Sequence, residues 1–312
     1  AKGAPPCVQP TSKIPVLGSC IEFGASPMKM VKRCYEEYGP VFTLNIFHKR
    51  LTFLVGPEAH EPFFKLGDNV LAQEEVYGFM KTVFGAGVVY DATRKKRQVQ
   101  FQSMANGLRV SRLKNYVPKI EKETRDFIES WGDEGEIDLL SALSELTILT
   151  SSRCLHGDDV REQLFAKVAE LYHDLDHGVT PLTVFMPNAP TTAHRKRDIA
   201  KLEMDRLFGK IIESRRKDPT KGSDGTDILS IFMNTKYKDG TPVTNEEVSG
   251  LLIALLFAGQ HTSSISSTWT LMFIAAHPEI LKRVVAEQDA IMGNASEPLT
   301  FEKVAQMDLL YN

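Results

Sequence analysis

No cysteine of this chain stands in a CxxC pair, and none lies beside a histidine at zinc-finger spacing. The four present, Cys7, Cys20, Cys34 and Cys154, are too scattered for a disulfide framework and fit free thiols in a reducing compartment. Excess charge of one sign is missing too: 37 basic against 40 acidic residues leave a net charge of -3. That balance excludes bulk nucleic-acid binding, which needs a basic field, and it leaves no acidic tail to suggest disorder. No apolar run reaches the ~18 residues of a membrane span. Nothing after Ala1 reads as a signal peptide, so a membrane anchor, if the natural protein has one, is expected outside this sequence. Asn294-Ala295-Ser296 matches a glycosylation sequon, a triplet too common by chance to carry weight.

What is present suits a folded protein: 42% of 312 residues are hydrophobic, enough to bury a sizeable core. The first 20 residues are rich in proline and polar residues, and residues 1–26 read as an irregular opening segment. From Pro27 to Tyr38 the apolar Met28, Val31, Cys34 and Tyr35 recur at helical spacing, until Gly39-Pro40 stops them. Val41–Ile46 and Leu51–Val55, joined by His48-Lys49-Arg50, predict a β-hairpin. After Asp91 the pattern is helical. Arg112–Trp131 and Leu139 to about Gly157 are amphipathic helices, and Arg161–Leu175 and Ile199–Arg216 read the same way. Lys221–Gly225 reads as a loop and Asp239–Pro242 as a turn. The expectation is one mainly α domain, with a small α/β part over 27–70 and a helical part over 71–312.

One helix carries most of the information. Thr244-Asn245-Glu246-Glu247 is a capping box, and the helix it opens is free to run to His277, before Pro278. That is roughly 45–50 Å at 1.5 Å per residue, the width of a domain. Leu251–Ala258 is apolar all round and should be buried, but Gly259-Gln260-His261-Thr262-Ser263-Ser264 follows at once. A buried helix has no packing reason for six small or polar residues there. Glycine costs about 1 kcal/mol relative to alanine, and unpaired polar groups cost more. Two readings stay open on the helix alone: a plain core helix whose hydroxyls bond back to its carbonyls, or a polar notch facing a ligand.

Ala258-Gly259-Gln260-His261-Thr262-Ser263-Ser264 resembles the distal-helix signature of the sterol 14α-demethylases of the cytochrome P-450 superfamily, which carry His where most other members have an acidic residue. Tyr77-Gly78-Phe79 with Phe84-Gly85-Ala86-Gly87-Val88-Val89-Tyr90-Asp91 is similar to that family's first substrate-contact segment. Leu171-Tyr172-His173-Asp174-Leu175-Asp176-His177-Gly178 resembles its helix and gate loop over the substrate entrance. The resemblance implies a mainly α, partial cytochrome P-450 fold with a long central helix on the distal face of a haem. It implies that His261 and Thr262 sit on the oxygen-binding side, with Asp176 coupled to His261 as a proton route. Tyr77, Tyr90 and Arg97 would meet the haem propionates, with Ala258 and Gly259 against the ring. Phe79, Phe84, Val88, Leu255 and Ala258 would line a sterol cavity. An aromatic residue at Phe79 goes with obtusifoliol-like sterols. Within Arg94-Lys95-Lys96-Arg97, Lys95 and Lys96 are expected to be a solvated face.

The family also implies an NADPH-dependent reductase as electron donor and a place on the cytosolic face of the endoplasmic-reticulum membrane. The chain departs from the family by omission. The Glu-x-x-Arg helix, the Pro- and Arg-containing meander and the Gly-rich loop with the proximal Cys do not follow Met307–Tyr311, so no metal ligand is assigned. These 312 residues alone are therefore expected to be inactive and prone to aggregate. The alternative reading is a non-catalytic sterol-binding remnant.

Overall fold

A computed structural model describes residues 4–9, 19–67, 69–163, 165–218, 227–293 and 297–311. The loop read at Lys221–Gly225, the sequon at Asn294–Ser296 and much of the opening segment lie outside the described residues. By chain contacts the protein divides into two units. One comprises Ala1–Phe79 with Val179–Ala189, and the other Met80–Gly178 with Pro190–Asn312.

In the first unit, α1 (Pro27–Tyr38) starts on a proline, whose missing N–H is no loss in a first turn, and stops at Gly39. Strands β1 (Val41–Ile46) and β2 (Lys49–Leu54) pair antiparallel, with Ile46 opposite Lys49. Phe47 and His48 thus make a two-residue turn, with Phe47 at φ 51°. Such tight turns with positive φ match the strand twist, so Lys49 and Arg50 join the ladder instead of the expected link. Val8 adds to the edge of β1 by donating to the Thr43 carbonyl at 2.9 Å. The core gathers Val8, Met30, Cys34, Phe42, Leu44 and Ile46, with Phe53 stacked on Phe42 at 5.6 Å.

The second unit is built from helices: α2 (Arg94–Gly107), α3 (Val110–Glu129), α4 (Leu139–Ser151), α5 (Phe165–His177), α6 (Thr192–Lys217), α7 (Ile228–Asn234), α8 (Asn245–Ala276) and α9 (Pro278–Met292). Helix α6 begins seven residues before the expected Ile199, because the Thr191 hydroxyl accepts from His194 N at 3.1 Å and caps it there. Helix α4 passes into a wider π-type turn over Ser152–His156, ended by Gly157 at φ 104°. The expected helix from Arg161 to Leu175 is helical over Asp158–Gln163 and over α5, on either side of Leu164, which lies outside the described residues.

Helix α8 is the axis of this unit and packs against α4, α6 and α7. The capping box forms as its sequence predicts: Glu247 N donates to Thr244 Oγ1 at 3.2 Å, and Thr244 N to Glu247 Oε2 at 3.0 Å. Leu251, Leu252, Ile253 and Leu256 are buried, each contributing about 1.5–3 kcal/mol of apolar transfer. Helix α8 is long and apolar enough to cross a membrane, but its most apolar window is 56% buried inside the protein, as in a core helix.

Candidate functional site

The polar stretch of α8 sorts its residues onto opposite faces. Gln260, Ser264 and Thr268, four apart, are buried, whereas Ala258, His261, Thr262 and Ile265 are exposed. Several hydroxyls satisfy themselves one turn back. Thr262 Oγ1 donates to the Ala258 carbonyl at 2.8 Å, and Thr268 Oγ1 to that of Ser264 at 2.7 Å. With its proton so used, the Thr262 oxygen offers lone pairs outward. A Cβ at Gly259 would meet only Ser151 Oγ, at 3.9 Å, so no neighbour in the chain requires glycine there.

Two contacts tie α5 to this stretch. His261 Nε2 lies 2.7 Å from Asp176 Oδ1, and Tyr172 OH donates to Gln260 Oε1 at 3.2 Å. The outer pair is partly exposed; the inner one is buried. Burial first, and the nearby Asp176 charge second, push the Tyr172 phenol well above its ordinary pKa, so it stays a protonated donor.

The segment Phe84–Tyr90 lies against the first half of α8. A Cβ on Gly250 would come 2.1 Å from the Phe84 carbonyl oxygen and 2.7 Å from Val88 Cγ2, so only glycine lets the segment lie this close. Phe84 and Val88 are buried. Phe84 meets Phe257 edge-on at 5.8 Å and stacks on Tyr90 at 6.3 Å. Leu255 is half-buried on the same helix. Arg97 is buried and aims inward: Nε donates to the Val89 carbonyl and Nη2 to that of Ala92, both at 3.1 Å.

The second unit therefore holds His261, Thr262, Asp176, Ala258, Gly259, Leu255, Phe84, Val88, Tyr90 and Arg97. Of these, Asp176 and His261 touch, and Phe84, Val88 and Tyr90 share one segment. Tyr77 and Phe79 belong to the first unit, where their rings sit 6.5 Å apart. Lys96 corrects the solvated face expected of it: its Nζ pairs with the buried carboxylate of Glu247 at 2.9 Å and sits 4.6 Å above the Tyr237 ring. Lys95 is exposed. Sequence reasoning missed Gly250, whose only signal is a glycine at the head of an apolar run. It also missed Tyr172 as the partner of Gln260.

Chemically, the strip on α8 joins small residues, an outward hydroxyl oxygen and an imidazole backed by a carboxylate. No group of three His, Cys, Asp or Glu able to hold a metal occurs among the described residues. Cys154 is buried, and burial pushes its thiol up to about 12, so it is not a ready thiolate.

Comparison with known proteins adds a lineage to this geometry. A family model described as "Cytochrome P450" matches residues 8–312. The chain is 44% identical over 297 residues to a "Sterol 14-demethylase" of Arabidopsis thaliana, covering 95% of this chain and 60% of that one. It is 41% identical to an "Obtusifoliol 14-alpha demethylase" of Triticum aestivum, with coverage of 95% and 65%. Identity is 43% to a "Lanosterol 14-alpha demethylase" of Mus musculus, with coverage of 96% and 59%. The chain thus spans about three fifths of the length of these relatives. The solved "Retinoic acid bound cyanobacterial CYP120A1" superposes with a TM-score of 0.78 at 22% identity, covering 97% of this chain and 66% of that one, a likeness of fold.

Proposed function

This chain belongs to the cytochrome P450 family, and from that premise we propose that it is part of a haem-thiolate sterol 14α-demethylase, a monooxygenase that removes the 14α-methyl group of a sterol precursor. The observation that carries the reading is the 2.7 Å pair of His261 and Asp176 beside Thr262 on the exposed strip of α8. The chain's residues suit one face of a haem. Ala258 is small and exposed, a Cβ at Gly259 would meet no close neighbour, and the Thr262 oxygen is presented outward. Haem, when bound, supplies the oxidising chemistry and consumes protons as it does so.

The residues of this chain do the rest. Asp176 accepts a hydrogen bond from the Nε2–H of His261 and so fixes the ring's orientation, leaving Nδ1 to take up and pass on a proton. Thr262 accepts a hydrogen bond at Oγ1, because its own proton is held by Ala258. Phe84, Val88, Leu255 and Ala258 line an apolar sterol site that excludes bulk water. The His261–Asp176 pair then provides the remaining proton route. Tyr90 and Arg97 would hold the haem propionates.

The substrate is obtusifoliol-like, because Phe79 is aromatic. Electrons come from NADPH through a reductase, on the cytosolic face of the endoplasmic-reticulum membrane. The test is the full-length protein reconstituted with such a reductase and offered obtusifoliol and lanosterol in parallel. Loss of the 14α-methyl group, with obtusifoliol bound more tightly, supports the reading. Turnover of neither sterol overturns it, and lanosterol bound as tightly removes the role of Phe79.

A further inference from the structure

Val89 is β-branched and yet takes φ 46°, a left-handed conformation that strains such a residue unless something holds it. What holds it is Gln100, a residue of α2 that is 1% exposed. Its carboxamide is a fork over the strained peptide. Oε1 accepts from Val89 N at 2.8 Å, Nε2 donates to the Gly87 carbonyl at 2.8 Å, and the same Nε2 donates to Tyr237 OH at 3.1 Å. Arg97, three residues earlier on α2, closes the other side by donating to the Val89 carbonyl. Between the two prongs stands Val88, whose Cγ2 methyl lies 2.7 Å from where a Cβ on Gly250 would be. After them comes Tyr90, stacked on Phe84.

We propose that Gln100 is a positioning residue that locks the Gly87–Tyr90 segment in its strained form, and thereby sets where Val88 meets the sterol and Tyr90 the haem. The inference rests on the proposed function for its consequence, but not for the lock itself. A glutamine that only filled space would not need its acceptor and its donor placed on either side of Val88, directly before the left-handed Val89. The lock requires both ends of a primary amide. Leucine keeps the volume and loses both bonds, whereas glutamate keeps an acceptor for Val89 N but has no donor for the Gly87 carbonyl, which it repels.

The experiment uses the full-length haem-loaded protein with Gln100→Glu, Gln100→Leu and the milder Tyr237→Phe. Ile212→Ala, in the core of α6, is a control of comparable melting-temperature loss. Amide hydrogen exchange is read at Val89, and obtusifoliol affinity by titration. In Gln100→Leu Val89 exchange should rise about tenfold or more, the loss of a buried hydrogen bond, and in Gln100→Glu, which keeps an acceptor for Val89 N, by less. Sterol affinity should fall by a similar factor, with Tyr237→Phe intermediate and the control changed in neither reading. Val89 exchange unchanged in Gln100→Leu, or raised equally by Ile212→Ala, overturns the lock. Raised exchange with full sterol affinity overturns the positioning role. Should the unaltered protein bind no sterol, the functional reading falls, and the exchange arm still decides the lock.

Discussion

Asp176 and His261 meet at side chains 27% and 48% exposed, so their contact adds only about 0–1 kcal/mol to stability. A role in proton delivery carries a much larger consequence, because positioned acid–base groups are worth about 10²–10⁴ in rate. The two effects separate in one variant. In the full-length protein, Asp176→Asn should lower turnover by roughly tenfold to a hundredfold and raise the solvent deuterium isotope effect. The unfolding midpoint should hardly move. A normal rate and isotope effect would leave the pair as a surface contact between α5 and α8. Gly250 behaves in the opposite way. Alanine there gains about 1 kcal/mol of helix propensity but drives a methyl to 2.1 Å from the Phe84 carbonyl, and overpacking of that kind costs about 1–3 kcal/mol. Gly250→Ala should therefore destabilise the protein in urea titration and weaken sterol binding together; an unchanged midpoint would mean that the Phe84–Val88 segment is free to move off the helix.

At the scale of elements, the π-type turn Ser152–His156 after α4 buries an imidazole at a cost. His156 packs edge-on against Phe208 at 5.1 Å, and neither ring nitrogen has a hydrogen bond of good geometry, although the Leu252 carbonyl is near. Burial chiefly, and then the Arg215 charge, lower its pKa from 6.5 to about 4, with Asp159 opposing weakly. Arg215 is fixed in place by Asp227 at 3.0 Å, by Asp159 and by the His156 carbonyl at 2.9 Å. The folded state thus refuses a proton that the unfolded chain accepts. Its contribution is complete above pH 6.5 and is lost as pH falls toward 4, a total of about 3 kcal/mol and about 2 by pH 5. Denaturant midpoints at pH 7 and 5 should show that loss, and His156→Leu should flatten it. This turn was not legible in the sequence, because the apolar spacing of α4 runs on past Ser151 and only Gly157 marks the end. Helices α1 and α8 were legible to within a residue or two, since proline, glycine and a capping box bracket them. Gln100 left no trace, because α2 is polar along its length and its fork closes on loop atoms. Asp176 and His261 stand 85 residues apart, and no spacing rule links them; that pairing came from family resemblance.

At the scale of the whole chain, the second half of α8 and the start of α9 leave a continuous apolar strip in contact with solvent. Ile265, Trp269, Met272 and Phe273 on α8, followed by Leu281 and Val285 on α9, are each 42% exposed or more. Trp269 and Phe273 stack on one another at 5.9 Å instead of on a neighbour. Strips of this kind act as association sites, because water is displaced from both partners when they meet. The 312-residue chain expressed by itself should bind a hydrophobic dye and self-associate as its concentration rises, with the strip as the contact. Replacing Trp269 and Phe273 together by Gln should reduce both effects. It should spare the helical signal in circular dichroism, because neither side chain is buried. Sedimentation decides the matter. A monodisperse monomer of the unaltered chain would remove the strip as an association site. Self-association undiminished in the double variant would move the contact elsewhere on the surface.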